Sequence, residues 1–194
     1  MNKSSDKILL VLDLDETLIF ATKTKLNRDS DFNSSGYQIY VRPYFKDFLN
    51  YIQANFIFGI WSSASDDYVR GIANKLFANT AFPEFIWGRS NCKEKRLIEA
   101  DESGYFNSED YGKIVYQKPL KKLKRKGYDL KRILIIDDSP EKVLENYGNA
   151  IYVKEYTGDV NDLELKYLIN YLEELREVED VRKIEKRNWQ IKKR

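Results

Sequence analysis

Residues 8–12 read Ile-Leu-Leu-Val-Leu, and the chain then places Asp13 and Asp15 on either side of Leu14. An unbroken apolar run of this length reads as a buried strand. Two carboxylates at its end repel each other and are costly to bury. A chain that ends a core strand this way needs something cationic there, and that requirement constrains the fold as much as the chemistry.

The rest of the sequence alternates in the same manner. Residues 8–14, 38–41, 56–61, 85–87, 113–116, 133–136 and 150–153 read as strands or short extended pieces. Residues 44–54, 66–78, 120–126 and 141–147 carry helical spacing between them. Alternation of this kind predicts an α/β fold, a Rossmann-like three-layer sandwich with a mainly parallel central sheet. Three segments stand apart. Residues 22–36 are rich in Ser, Asn and Asp and read as a loop or flap near the first strand. Residues 92–112 are charged without a clear period and read as an insertion. From Asp162 the chain carries Leu165, Leu168, Leu172 and Leu175 at helical spacing and then becomes highly charged, which predicts a packed helix with a frayed end. The expected division is a main domain over 1–160, with the insertion at about 92–112, and a C-terminal helix and charged tail over 161–194.

Composition removes whole classes of chemistry. With no histidine among 194 residues, Ser-His-Asp and Cys-His nucleophile activation and His-ligated zinc are excluded. The single cysteine, Cys92, forms no intrachain disulfide and suits a reducing compartment. A Cys92 nucleophile of the tyrosine-phosphatase kind needs an arginine six positions on, and position 98 is Ile98. The net charge of +2 gives no whole-protein case for nucleic acid. No apolar run is long enough to span a membrane, and a soluble, intracellular protein of the cytoplasm or nucleus is expected.

In an open α/β sheet, ligands bind beyond the carboxyl ends of the strands. Asp13 and Asp15 end the first strand, and Asp137 and Asp138 end another in Ile-Ile-Asp-Asp-Ser-Pro. If those strands are neighbours, four carboxylates converge, and an all-oxygen site without histidine favours Mg²⁺ over zinc. Each pair alone has an ordinary reading as a solvated turn or helix cap. Two further features argue against that reading. Trp-Ser-Ser-Ala-Ser ends a third strand with small hydroxyls, Ser62 among them, and Lys118 follows the run 113–116. A hydroxyl and an ammonium at the mouth of one sheet suit a phosphoryl dianion.

Asp-Leu-Asp-Glu-Thr-Leu (13–18), Trp-Ser-Ser-Ala-Ser (61–65), Lys118 and Asp-Asp-Ser-Pro (137–140) stand in the order of the four motifs of the haloacid dehalogenase superfamily. The chain more closely resembles the phosphatases of the RNA polymerase II C-terminal domain and their small relatives. Val-Arg-Pro-Tyr-Phe (41–45) and Gly-Arg-Ser-Asn-Cys (88–92) support the likeness, which covers roughly residues 8–157. Pro119 stands where an acidic residue is common, Asp138 where Asn is frequent, and the 92–112 segment is longer than in the small members.

The resemblance implies a haloacid dehalogenase-like fold without a large cap and an Mg²⁺-dependent phosphatase acting on phosphoserine or phosphothreonine in proteins. It implies Asp13 as the nucleophile that forms an aspartyl-phosphate and Asp15 as general acid and base. Ser62, Lys118 and Thr17 would serve phosphate binding, Ser62 and Lys118 by holding phosphate oxygens and Thr17 by steadying the first loop. Mg²⁺ would be held by the Asp13 carboxylate, the Asp15 carbonyl, Asp138 and Asp137, the last through water. Arg89 would touch the flank of the substrate. The partner expected is a phosphoprotein or phosphopeptide. Nucleic acid is not expected, although phosphorylated ends stay open in the runner-up, a phosphatase of small metabolites or nucleic-acid ends that the basic cluster 121–126 keeps in view. A non-catalytic interaction domain of the same fold is a second alternative, and a receiver domain of the response-regulator kind is disfavoured by the lack of a later strand-end Asp and Lys.

Overall fold

The computed structural model describes residues 7–78, 82–97 and 113–191. In chain order the elements are β1 (Leu9–Leu12), β2 (Ile19–Thr22), β3 (Phe32–Ser34), β4 (Tyr37–Val41), α1 (Phe45–Asn55), β5 (Ile57–Trp61) and α2 (Asp66–Leu76). They continue with β6 (Ile86–Trp87), β7 (Lys93–Leu97), β8 (Lys113–Gln117), α3 (Lys121–Lys124), β9 (Ile133–Asp137), β10 (Ala150–Tyr152) and α4 (Glu164–Leu175).

The central sheet is parallel throughout, in the order β10-β9-β1-β5-β6. β1 lies in its middle because every residue of it is buried. Leu10 and Leu12 face a core with Phe48, Leu49 and Ile52 of α1, Val69, Ile72 and Ala73 of α2, and Leu165, Leu168 and Leu172 of α4. Leu9 and Val11 face the opposite core with Trp61, Trp87, Leu123, Ile133 and Ile135. The period-two alternation thus feeds two cores, which is why the strand reads as continuously apolar. Registers of β1 against β5 and β9 bring Leu12, Ile60 and Ile136 level, and the Asp13 N–H continues the ladder onto the Ile136 carbonyl at 3.0 Å. The three strands therefore end together.

Several expectations are corrected. The segment at 113–116 is a strand, but it lies outside the central sheet and pairs antiparallel with β7, so part of the supposed insertion is a strand of that two-stranded sheet. The remainder, 98–112, lies outside the described residues. The polar stretch 22–36 contains β3, the edge of a three-stranded antiparallel sheet ordered β2-β4-β3. The helix expected over 141–147 is instead two 3₁₀ pieces, Pro140–Lys142 and Leu144–Asn149. Pro140 starts the first, and Asn146 breaks helical geometry inside the second while its amide serves the neighbouring loop.

The tail after α4 does not fray within the described residues. Trp189 is buried, stacks on Tyr171 of α4 with ring centroids 5.3 Å apart, and donates its indole N–H to the Tyr152 carbonyl at 2.7 Å. The charge-rich composition concealed this single anchoring aromatic. No helix among the described residues is long and apolar enough to cross a membrane.

Candidate active site

The ends of β1 and β9 deliver Asp13 and Asp137, and each is at most 1% exposed. One carboxylate oxygen from each of Asp13, Asp137 and Asp138 lies within 4.8 Å of the others. Lys118, fully buried beyond β8, places its Nζ 2.9 Å from Asp13 Oδ2 and 2.6 Å from Asp137 Oδ2. The loop that carries it is clamped by Asn146, whose amide donates to the Lys118 carbonyl at 2.6 Å and whose Oδ1 accepts from the Leu120 N–H at 3.2 Å. Lys142 reaches the same cluster, 3.3 Å from Asp13 Oδ2 and 3.9 Å from Asp138 Oδ1.

These contacts decide which acid carries charge. Burial alone would raise Asp13, but the Lys118 and Lys142 ammoniums and the Leu14 N–H more than offset it and hold the carboxyl below its usual range. Burial pushes Asp137 up to about 7, a rise that Lys118 opposes and the Asp13 charge assists. Burial would lower both ammoniums; the facing carboxylates reverse this and leave Lys118 and Lys142 raised.

Asp15 occupies different surroundings. Its side chain accepts from the Tyr68 hydroxyl at 2.5 Å on Oδ1 and from the Ser62 hydroxyl at 3.4 Å on Oδ2. Burial raises its pKa, the Tyr68 bond opposes the rise, and the Asp13 charge adds to it. The turn that follows Asp13 and carries Asp15 is wound tightly. The Leu18 N–H reaches back to the Leu14 carbonyl at 2.8 Å, Glu16 takes a left-handed φ of 58°, and the Tyr156 N–H caps the Glu16 carbonyl at 2.7 Å. Burial lifts the Glu16 carboxyl to about 7, helped by the Asp15 and Asp138 charges.

Thr17 is fully buried and donates to Asp138 Oδ1 at 3.1 Å. Its hydroxyl is therefore directed at a carboxylate of the cluster, and the bond ties the loop after β1 to the end of β9. Ser62 Oγ also accepts the Ala64 N–H at 3.0 Å, fixing it at the end of β5. Arg89 lies farther out, on an open groove of ≈ 680 Å³ bordered also by Asp15, Glu16, Tyr37 and Tyr68. Its Nε donates to the Ser63 carbonyl at 2.9 Å and its guanidinium lies 4.5 Å from the centre of the Tyr116 ring. A Cβ at Gly88 would stand 2.7 Å from Asp66 Cα, so glycine lets the Arg89 segment close against the start of α2.

Residues 8–182 match the family described as NLI interacting factor-like phosphatase. The chain belongs to that family. Among curated members it is 36% identical over 186 residues to CTD small phosphatase-like protein 2 of Dictyostelium discoideum, covering 92% of this chain and 29% of that protein. It is 30% identical to the human carboxy-terminal domain RNA polymerase II polypeptide A small phosphatase 1, covering 92% of this chain and 63% of that one. The chain thus spans less than two thirds of either relative. In fold it is similar to the fission yeast RNA polymerase II CTD phosphatase Fcp1, with a TM-score of 0.54 at 21% identity over 88% of this chain and 49% of that one.

For a member of this phosphatase family, the donor set is the relevant test of a metal site. Three carboxylates supply hard oxygen ligands, and the two ammoniums paired with them keep the cluster from carrying its full repulsion before a cation arrives. Those residues fit a divalent cation that prefers oxygen. Sequence reasoning missed Lys142, Tyr68 and the Asn146 clamp. Lys142 carried a faint signal, a lysine four residues past Asp138 across Ser-Pro. Tyr68 and Asn146 carried none, since each acts on a residue far away in the chain. Tyr37 lines the groove and sets its ring edge-on to Tyr68 at 5.8 Å.

Proposed function

We propose that the protein is an Mg²⁺-dependent phosphatase that hydrolyses phosphoserine and phosphothreonine in proteins through an aspartyl-phosphate on Asp13. The observation that carries this reading is the pairing of Asp13 with Lys118 at the end of β1, a buried carboxylate held ionised beside a cation that suits phosphate. In the first half-reaction an Asp13 oxygen forms a bond to phosphorus as the serine oxygen leaves, and Asp15 supplies that oxygen with a proton. In the second, Asp15 takes a proton from water, the water oxygen bonds to phosphorus, and the Asp13 carboxylate is released with inorganic phosphate. The raised pKa of Asp15 suits a group that must be protonated in one half and ionised in the other.

Lys118 and Ser62 bind and orient the phosphoryl oxygens, while Thr17 and Tyr68 hold Asp138 and Asp15 in place. Asp13, the Asp15 carbonyl and Asp138 would hold Mg²⁺, with Asp137 reached through water, and the ion when bound supplies charge neutralisation for two approaching anions. Arg89 and the groove beside it receive the flanking peptide. Relatives carry the carboxy-terminal domain of RNA polymerase II in their names, so phosphopeptides from that domain, met in the nucleus, are the first to offer. A phosphopeptide panel run beside small phosphates and 3′- and 5′-phosphorylated oligonucleotides tests the reading. Peptides are expected to win in catalytic efficiency, and excess chelator is expected to abolish turnover. Better turnover of oligonucleotide ends or metabolites would hand the role to that alternative, and no turnover of anything would favour a binding domain.

A further inference from the structure

Lys142 stands at a position that a cation shared by Asp13 and Asp138 would take. Its Nζ lies 3.3 Å from Asp13 Oδ2 and 3.9 Å from Asp138 Oδ1, two carboxylates of the candidate metal cluster. Its main chain is pinned. The N–H donates to the Ser139 carbonyl at 3.1 Å, the carbonyl accepts the Lys118 N–H at 2.8 Å, and Val143 beside it is fully buried. The side chain is not enclosed: 19% of it is exposed, against 0% for Lys118.

The two ammoniums thus differ in kind. Lys118 is sealed between Asp13 and Asp137 at 2.9 and 2.6 Å, whereas Lys142 makes longer contacts from the open side on a flexible four-carbon stem. Two ammoniums already face the three carboxyls of the cluster, and both reach Asp13. A divalent cation bound to the same oxygens would crowd three cations around Asp13. Like charges at such separations repel strongly where water is scarce. One cation must give way, and Lys142 is the one with room to move.

We propose that Lys142 is a tethered counter-ion of the acidic cluster: it neutralises Asp13 and Asp138 in the metal-free protein and yields its place when a divalent cation binds. This rests on the reading of the cluster as a metal site. It follows that the metal always binds against a competitor built into the chain. Removing the lysine raises the affinity of the cluster for metal and lowers the stability of the metal-free protein.

The test is calorimetric titration of Mg²⁺ and Mn²⁺ into chelator-stripped wild type, Lys142→Met and Lys142→Arg, with melting curves in excess chelator and in saturating metal. Lys142→Met is expected to bind Mn²⁺ about tenfold more tightly than wild type, as a coupling of ordinary size between two ligands of one site would give. Its melting temperature is expected to fall below wild type in chelator and to regain it in saturating metal. Lys142→Arg, which keeps the charge, is expected to bind metal close to wild type. Lys142→Gln serves as the second variant if the methionine form does not fold. Equal or weaker metal binding by both neutral variants would overturn the proposal, as would a melting deficit that persists in saturating metal. A wild type that binds neither cation would overturn the metal reading and this proposal together, an outcome distinct from wild-type binding that Lys142→Met leaves unchanged.

Discussion

The inner and outer halves of the candidate site are built from different parts of the fold. The inner half, Asp13, Asp137 and Lys118, is at most 1% exposed, and each group is locked to another at 2.6–2.9 Å. Two of the three stand on the ends of adjacent strands of the parallel sheet, whose registers fix their spacing. The outer half, with Tyr37, Tyr68 and Arg89, is half-buried or exposed and borders the ≈ 680 Å³ groove. Its pieces come from the antiparallel sheet, from α2 and from the segment after β6. Charge that must be stabilised during bond breaking is best met by groups already oriented and desolvated, which the parallel sheet provides. A groove on separate, peripheral elements can differ in shape without disturbing those groups. Asp15 sits between the halves, in the turn after β1 and hydrogen-bonded to α2 through Tyr68.

If the division is right, damage should grade inward to outward. Asp13→Asn is expected to lower kcat by at least about 10,000-fold on every substrate, since the amide cannot form the acyl-phosphate. A folded variant, verified by circular dichroism, that keeps turnover above that level would remove the nucleophile from the inner half.

Asp15→Asn should split by leaving group. Loss of a positioned general acid is expected to cost about 1,000-fold on a phosphoserine peptide and only about tenfold on an activated aryl phosphate, whose leaving group needs little protonation. Equal losses in a two-substrate assay would make Asp15 structural and collapse the boundary it marks. Lys118→Met is expected to lower kcat/KM about 100-fold on both substrates. It should also destabilise the protein by about 3–5 kcal/mol, because two buried carboxylates lose their partner. A denaturant melt measures the second effect. A normal melt with lost activity would mean that the carboxylates take up protons at no cost.

The same division governs what could be read from the sequence. β1 and β9 declare themselves because strands buried on both faces must be apolar at every position, and the acids that interrupt them are conspicuous for that reason. Lys93–Leu97 gave no such signal: four charged residues in a row form a strand only because β8 lies beside them, and pairing of that kind is written in the partner. Phe32–Ser34 is short and polar for the same reason at a sheet edge. Within the site, Asp13, Asp137 and Lys118 were legible as charges misplaced at strand ends. Tyr68 was not and Lys142 only faintly so, since a tyrosine on an amphipathic helix or a lysine in a polar turn is ordinary until the fold shows what it touches. Trp189 was hidden likewise, a lone core residue in a charged tail.

The smallest effect is the one that decides where the outer half begins. Arg89 holds its guanidinium by one bond to the Ser63 carbonyl and by the face of Tyr116, and the residue as a whole stays exposed on the groove. A fork held in this way can pair with a second phosphate or an acidic side chain beside the scissile group. Arg89→Ala is therefore expected to lower kcat/KM on a phosphopeptide about tenfold, mainly through KM, and on an aryl phosphate by no more than about twofold, because only the longer substrate reaches the groove. Arg89→Lys should recover part of the peptide loss, keeping charge without the planar fork. Steady-state kinetics on the two substrates separate the outcomes. If the aryl phosphate suffers as much as the peptide, Arg89 acts on the phosphoryl group itself, and the line between chemistry and recognition must be drawn beyond it, through Tyr37 and the β7–β8 pair.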